Sequence, residues 1–258
     1  VTKAQRFFTL EYIYIYCKAF DFVLEHPWFE SSASEQSGAV GKVEKGARSK
    51  PKTPLIPDDV LHLLCRFTMG FIDRAKELLD LRDKIDNFTP TGKDISLQSA
   101  QKLKYLQSIS ANFDRLDELN KALILLRDSC LFWILLTTGM RIHEVLGIKR
   151  GAYCVSDKTY TGLAEWIAPK IAVDAIKILE RYSAPLQAQL EAELSLAKSN
   201  NDHQEMNSCT THLNKVFLSL IPKTYKVSVV SGDAVTGSRL PNLCKQVNAD
   251  WNLSSHQF

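Results

Sequence analysis

Thr137-Thr138-Gly139-Met140-Arg141-Ile142-His143-Glu144-Val145-Leu146-Gly147-Ile148 is the stretch on which the reading of this chain turns. An apolar helix is predicted from about Ala122 to Leu136, ending at a glycine. A second helix starts at once, with Arg141 in its first turn and Glu144 three residues on. That places a guanidinium beside the free N–H groups of a helix N-terminus, where an anion is favoured. Ile142, Val145, Leu146 and Ile148 are expected to face inward. Arg141 is then expected to be buried and oriented by Glu144. The physical reading is a phosphate or carboxylate site on a rigid helical frame. The same spacing also suits an ordinary i,i+3 ion pair.

Upstream, the pattern is helical. Over residues 3–25 the run Tyr12-Ile13-Tyr14-Ile15-Tyr16 alternates like a strand. Yet Tyr12, Tyr16 and Phe20 also recur at i+4, and the length favours a helix with a largely aromatic core face. Residues 31–54 read as a loop. Pro57-Asp58-Asp59 opens a helix whose apolar face runs from Val60 through Leu64 and Phe71 to Leu78 and Leu79. Thr89-Pro90-Thr91-Gly92 signals a turn, and Leu97–Leu119 is helical again.

Downstream, Tyr153-Cys154-Val155 and Glu165-Trp166-Ile167 read as two strands about an Asp157–Gly162 turn. Pro169 leads into an amphipathic helix through Ile171, Ala175, Ile176, Leu179 and Tyr182, with an interruption expected at Pro185. Ser199–Asp202 reads as a loop, His212–Leu220 as helix and Tyr225–Val230 as a short strand. Ser231–Ser238 reads as a turn and Asn242–Trp251 as helix. The fold class is mainly α with a small β-hairpin or sheet. The expected division is a helical domain over 1–120, carrying the flexible loop 31–54, and a second domain over 121–258.

The 258 residues are 45% apolar and 24% charged, enough for a substantial core. No apolar run is long enough to span a bilayer, and Val1–Phe8 lacks a signal-peptide plan. The six cysteines are scattered without a C-x-x-C pair, which suits a reduced, intracellular protein. Cys209, His212 and His203 lack a second ligand pair, so no metal is expected. Net charge is only +3. Lys42, Lys45, Arg48, Lys50 and Lys52, opposed only by Glu44, form a basic run that suits both a solvated linker and a strap against nucleic-acid phosphates.

The Thr-Gly-x-Arg stretch, with its following Glu and Leu, resembles the first catalytic box of the tyrosine recombinases, the phage integrase family. The resemblance implies an N-terminal core-binding domain that clasps DNA and a catalytic domain that cuts it. In this reading Arg141 contacts the scissile phosphate and Glu144 supports it. Lys158, followed by Thr159, stands where the family's hairpin lysine donates a proton to the leaving deoxyribose oxygen. Ser254-Ser255-His256-Gln257-Phe258 resembles the opening of the second box, with His256 as its histidine. The box's arginine and the nucleophilic tyrosine are expected beyond Phe258, so the fragment alone would bind DNA without cleaving it.

The implied chemistry is transesterification through a phosphotyrosine, with no cofactor and no metal. Implied partners are double-stranded DNA and, for the full-length protein, three further copies in a homotetramer. The implied location is the bacterial cytoplasm, on DNA and not in a membrane. A non-catalytic DNA-binding relative and a helical scaffold protein are the alternatives.

Overall fold

The computed structural model describes residues 3–17, 27–28, 31, 33–36, 55–92, 94–152, 168–221, 224, 226–254 and 257–258. The chain divides into two compact units, Val1–Pro54 and Leu55–Phe258. In the first, helix α1 spans Lys3–Cys17, so this run is helix and not strand, but Phe8 and Tyr12 are exposed on it rather than forming the expected core face. Phe7 meets Trp28 edge to face at 5.3 Å. A four-residue helix α2, Ala33–Gln36, lies where a loop is expected.

The second unit is a helical assembly around one long buried helix. Helix α3, Asp58–Asp73, begins after Pro57 with two acids in its first turn, as the helix dipole favours. Arg74 (φ −91°, ψ 5°) separates it from α4, Ala75–Asn87, so the apolar face from Val60 to Leu79 belongs to two helices. Asp94 caps α5, Ile95–Ile109, by accepting from the Ser96 N–H at 2.8 Å. The helix expected over Leu97–Leu119 stops at Ser110. It resumes as α6, Leu116–Thr138, where Glu118 accepts from the backbone N–H groups of Asp114 and Arg115. Along α6, Leu119, Leu123, Leu126, Cys130, Leu131, Phe132, Ile134 and Leu135 are buried. Each such side chain contributes about 1.5–3 kcal/mol of transfer free energy, which makes α6 the axis of the unit.

Helix α8 spans Lys170–Ser199 without a break, although Pro185 lies inside it. The interruption expected at Pro185 does not occur. Proline offers no N–H to the carbonyl of Arg181, four residues back. The Arg82 guanidinium of α4 takes that place, donating to the Arg181 carbonyl at 3.1 Å and to the Tyr182 carbonyl at 2.7 Å. Arg82 also binds Asp83, while Arg181 donates to Asp80 and Asp83 at 2.6 and 2.7 Å. The proline is tolerated because a neighbouring helix supplies the missing donor.

After an Asp202-capped helix α9, His203–His212, the chain does not remain helical to Leu220. Asn214 adopts a left-handed φ of 66°, which ends the helix. Val216, Phe217 and Leu218, all buried, lead into β1, Leu218–Leu220. β1 pairs antiparallel with β2, Val227–Val229, in register Leu218–Val229. The turn expected over Ser231–Ser238 is instead a helical turn, α10, Gly232–Ala234. A widened π turn, Val235–Arg239, then leads into α11, Leu240–Gln246. Val235, Leu240 and Leu243 are buried along this run, and Ser231 caps it through the Ala234 N–H. Packing of that apolar face overrides the glycines. The helix expected to reach Trp251 ends at Gln246.

Leu253 is buried in the core, and Phe258 meets Phe132 of α6 edge to face at 5.7 Å. Residue 120 lies within α6, Leu116–Thr138. Among the described residues, no helix is long and apolar enough to cross a membrane.

Candidate functional site

The end of α6 is built to stop. Thr137 and Thr138 hydroxyls donate back to the Trp133 and Ile134 carbonyls, each at 2.6 Å. Gly139 then takes a left-handed φ of 64°, a conformation that costs a residue with a Cβ about 1–2 kcal/mol. Met140 N–H donates to the Thr138 hydroxyl at 3.3 Å. This turns the chain so that Arg141 becomes the N-cap of α7, Ile142–Leu146. Val145, Leu146 and Ile148 are buried as expected, which anchors α7.

Two details differ from the expected site. Arg141 is exposed rather than buried. Glu144 does not hold the guanidinium either. Its Oε2 accepts from the Arg141 backbone N–H at 2.7 Å, capping the helix. The anion-favouring end of α7 is therefore occupied by the protein's own carboxylate. Among the described residues, the Arg141 guanidinium has no hydrogen-bond or ion-pair partner. An exposed arginine on a rigid frame can present two parallel N–H donors to a phosphate or carboxylate.

Lys158 and His256 lie outside the described residues, as do Lys42, Lys45, Arg48, Lys50, Lys52 and the two strands expected over 153–155 and 165–167. Two described features meet on α6. The C-terminal end of α6 delivers Arg141, and Phe132, six residues before Thr138 on the same helix, receives Phe258.

A second cluster carries no clear mark in the sequence. Asp128, buried within α6, accepts from Arg127 at 3.1 Å and from Arg239, on the π turn, at 3.4 Å. Burial pushes the Asp128 carboxyl above its ordinary range against the pull of the Arg127 guanidinium. Arg127 and Arg82 both lie about 6 Å from the Tyr182 ring, within cation–π range. These contacts join α4, α6, α8 and the π turn. The only signal in sequence is an Arg-Asp dipeptide in an apolar helix, which does not name its third partner.

Cys65, Cys130, Cys209 and Cys244 are unpaired. Burial raises the thiol of each, furthest for Cys130, so none has the character of an activated nucleophile. Glu193, Glu205 and Cys209 bring their ligand-type atoms within 4.8 Å of one another. The Lys226 ammonium, 2.6 Å from Glu205, already supplies the positive charge there, and neither His203 nor His212 joins the group.

Comparison with known proteins finds no matching family model, no matching curated protein and no matching solved structure.

Proposed function

We infer that this protein binds double-stranded DNA through its phosphate backbone and is a tyrosine-type site-specific recombinase, an integrase of a mobile element. The observation that carries the reading is the Arg141 guanidinium. It stands exposed at a left-handed glycine break, on a buried helix, with no partner among the described residues. A cation held on a stiff frame and left uncompensated by the fold is suited to an external anion. The Thr-Gly-x-Arg resemblance identifies that anion as a phosphodiester.

In this mechanism Arg141 makes a bidentate contact to the non-bridging oxygens of the scissile phosphate and offsets the charge they gain in the transition state. Lys158 donates a proton to the leaving deoxyribose oxygen, and His256 assists at the same phosphate. Glu144 acts through the backbone, fixing the start of α7 and thereby the origin of the Arg141 side chain. The tyrosine that attacks phosphorus is not assigned to any residue of this chain. A non-catalytic DNA-binding relative would use Arg141 as an anchor alone.

Anisotropy titration of a labelled duplex over a range of salt tests the reading. Arg141→Ala should lower the slope of log K against log salt by about 0.9, the signature of one lost phosphate contact. Arg141→Lys should keep most of the slope but lose the bidentate geometry. Equal affinity and slope for wild type and Arg141→Ala would end the proposal. A covalent adduct on a nicked suicide duplex, formed by the protein as it occurs in its host and weakened by two to three powers of ten or more in Arg141→Ala, separates recombinase from anchor.

A further inference from the structure

Ile148–Arg150 and Asn214–Val216 run antiparallel, with the Arg150 N–H donating to the Asn214 carbonyl at 2.8 Å and the Val216 N–H to the Ile148 carbonyl at 3.1 Å. Lys149 and Lys215 are the facing residues. The two hydrogen bonds flank them, so they form a non-hydrogen-bonded pair, in which facing side chains leave the same side and stand closest together. Like charges in that arrangement repel. Among the described residues, neither lysine has a hydrogen-bond or ion-pair partner, and Lys149 is exposed.

The pair is held in place rather than left to drift. Both strands are tied to α8. The buried Gln187 side chain donates to the Lys215 carbonyl at 2.7 Å and accepts from the Asn214 N–H at 3.0 Å. On the other strand, Glu180 accepts from the Gly151 N–H at 2.6 Å. Left-handed Asn214 and Gly151 end the pairing on their respective strands. The Lys215 charge also acts inward: burial first, then Lys215, lowers the His212 imidazole below its usual range. Gln187 thus holds the backbone at Lys215, and Glu180 holds the segment that carries Lys149.

We propose that Lys149 and Lys215 form a two-lysine clamp on the phosphate backbone of a nucleic acid, positioned by Gln187. This rests on the reading of Arg141 as a phosphodiester contact and extends it along the same strand. From Arg141 to Lys149 the chain passes through α7 and two further residues, a path of at most about 20 Å. Two long side chains add to that reach, so both groups can touch neighbouring phosphates of one duplex. Two phosphates of one backbone, one at each ammonium, offset the mutual repulsion of the lysines. Arg150, one residue on, leaves the opposite side of the strand and takes no part.

The test uses the whole 258-residue chain, a labelled duplex and a salt titration. Lys149→Ala/Lys215→Ala should lower the salt slope by about 1.8 and weaken binding about eightfold per lysine near 0.1 M salt. Arg150→Ala should leave the slope nearly unchanged. Gln187→Leu, with both lysines present, should give an intermediate loss, which a purely additive charge effect would not produce. Lys149→Arg/Lys215→Arg should bind as wild type, and circular dichroism of each variant checks the fold.

If the double alanine variant keeps the wild-type slope, or Arg150→Ala loses as much, the clamp is refuted while an effect of Arg141→Ala still upholds the proposed function. Loss in the double variant with none in Arg141→Ala upholds the clamp and refutes the Arg141 reading. No duplex binding by wild type refutes both. Displacement of the duplex by poly-glutamate at equal charge concentration overturns the clamp in favour of an acidic protein partner. Equally strong displacement by inorganic tripolyphosphate overturns it in favour of a small phosphate ligand.

Discussion

Replacing Arg82 with methionine should destabilise the protein chiefly through a helix that Arg82 does not belong to. Methionine keeps an unbranched stem but removes every donor. The Arg82 side chain is 13% exposed, so its hydrogen bonds to the Arg181 and Tyr182 carbonyls are poorly replaced by water. A hydrogen bond from a charged group is worth roughly 1.5–3 kcal/mol. Two at the lower end of that range give about 3 kcal/mol for Arg82→Met.

Pro185→Ala restores a backbone N–H four residues after Arg181. In that background the Arg181 carbonyl has a donor of its own, and Arg82→Met should cost only about 1.5 kcal/mol, the share left to the Tyr182 carbonyl. The coupling is therefore about 1.5 kcal/mol, well above the roughly 0.5 kcal/mol scatter of independent sites. The change in unfolded-chain entropy caused by removing proline appears on both sides of the cycle and cancels. Urea unfolding of the four proteins, followed by far-ultraviolet circular dichroism, measures it. Equal costs of Arg82→Met in the two backgrounds would refute the idea that Arg82 stands in for the proline's absent donor.

Two further outcomes follow from neighbouring geometry. Glu144→Ala leaves the Arg141 N–H without its acceptor and should cost about 0.5–2 kcal/mol in urea unfolding, whereas Glu144→Gln, which keeps an oxygen in place, should cost less; equal losses would mean the contact is not a cap. At Asp83, burial pushes the carboxyl up, but hydrogen bonds from Arg181 and Arg82 outweigh it and hold the group below its ordinary value. Its stabilising contribution is therefore full above the ordinary aspartate range, about pH 4, and is lost as pH falls through the lowered value. A pH series of melting temperatures should show Asp83→Asn with a shallower acid decline than wild type, and parallel curves would sink the assignment.

Much of the helical framework is legible in the sequence because its signals are local and redundant. Pro57-Asp58-Asp59 marks the start of α3, and Gly139 marks the end of α6. The apolar residues of the Arg141 box face inward as their spacing demands. Legibility fails where a distant group overrides a local preference. Pro185 breaks a helix by every local rule, and only a guanidinium about one hundred residues away reverses it. Gly232 and Gly237 suggest a turn, but the buried side of Val235, Leu240 and Leu243 makes a helix. At the candidate site, the residue types alone allow Glu144 to bind either the guanidinium or the backbone of Arg141. The N-cap geometry, set by how Gly139 turns the chain, selects the backbone. The Lys149–Lys215 pairing is invisible in the sequence for a related reason: it joins segments 66 positions apart, each tied separately to α8, one by Gln187 and the other by Glu180.

These features share one physical logic. Where the protein needs rigidity, charge is compensated inside the fold: Arg82 and Arg181 by Asp80, Asp83 and carbonyls, Arg127 and Arg239 by Asp128, Lys226 by Glu205. Where those same helices hold neighbouring backbone by hydrogen bonds, at the end of α6 and on the segments tied to α8, the cations Arg141, Lys149 and Lys215 have no partner among the described residues. Random solvated surface charge would not be expected to coincide with backbone anchored by a buried glutamine and a left-handed glycine break. A polyanion meeting such groups encounters donors whose origins are already fixed, so less conformational freedom is lost on binding. Anchored backbone beneath unneutralised charge is the arrangement expected of a phosphate-binding face, and it predicts that loosening the anchors, at Gln187 or Glu144, weakens binding without removing a single positive charge.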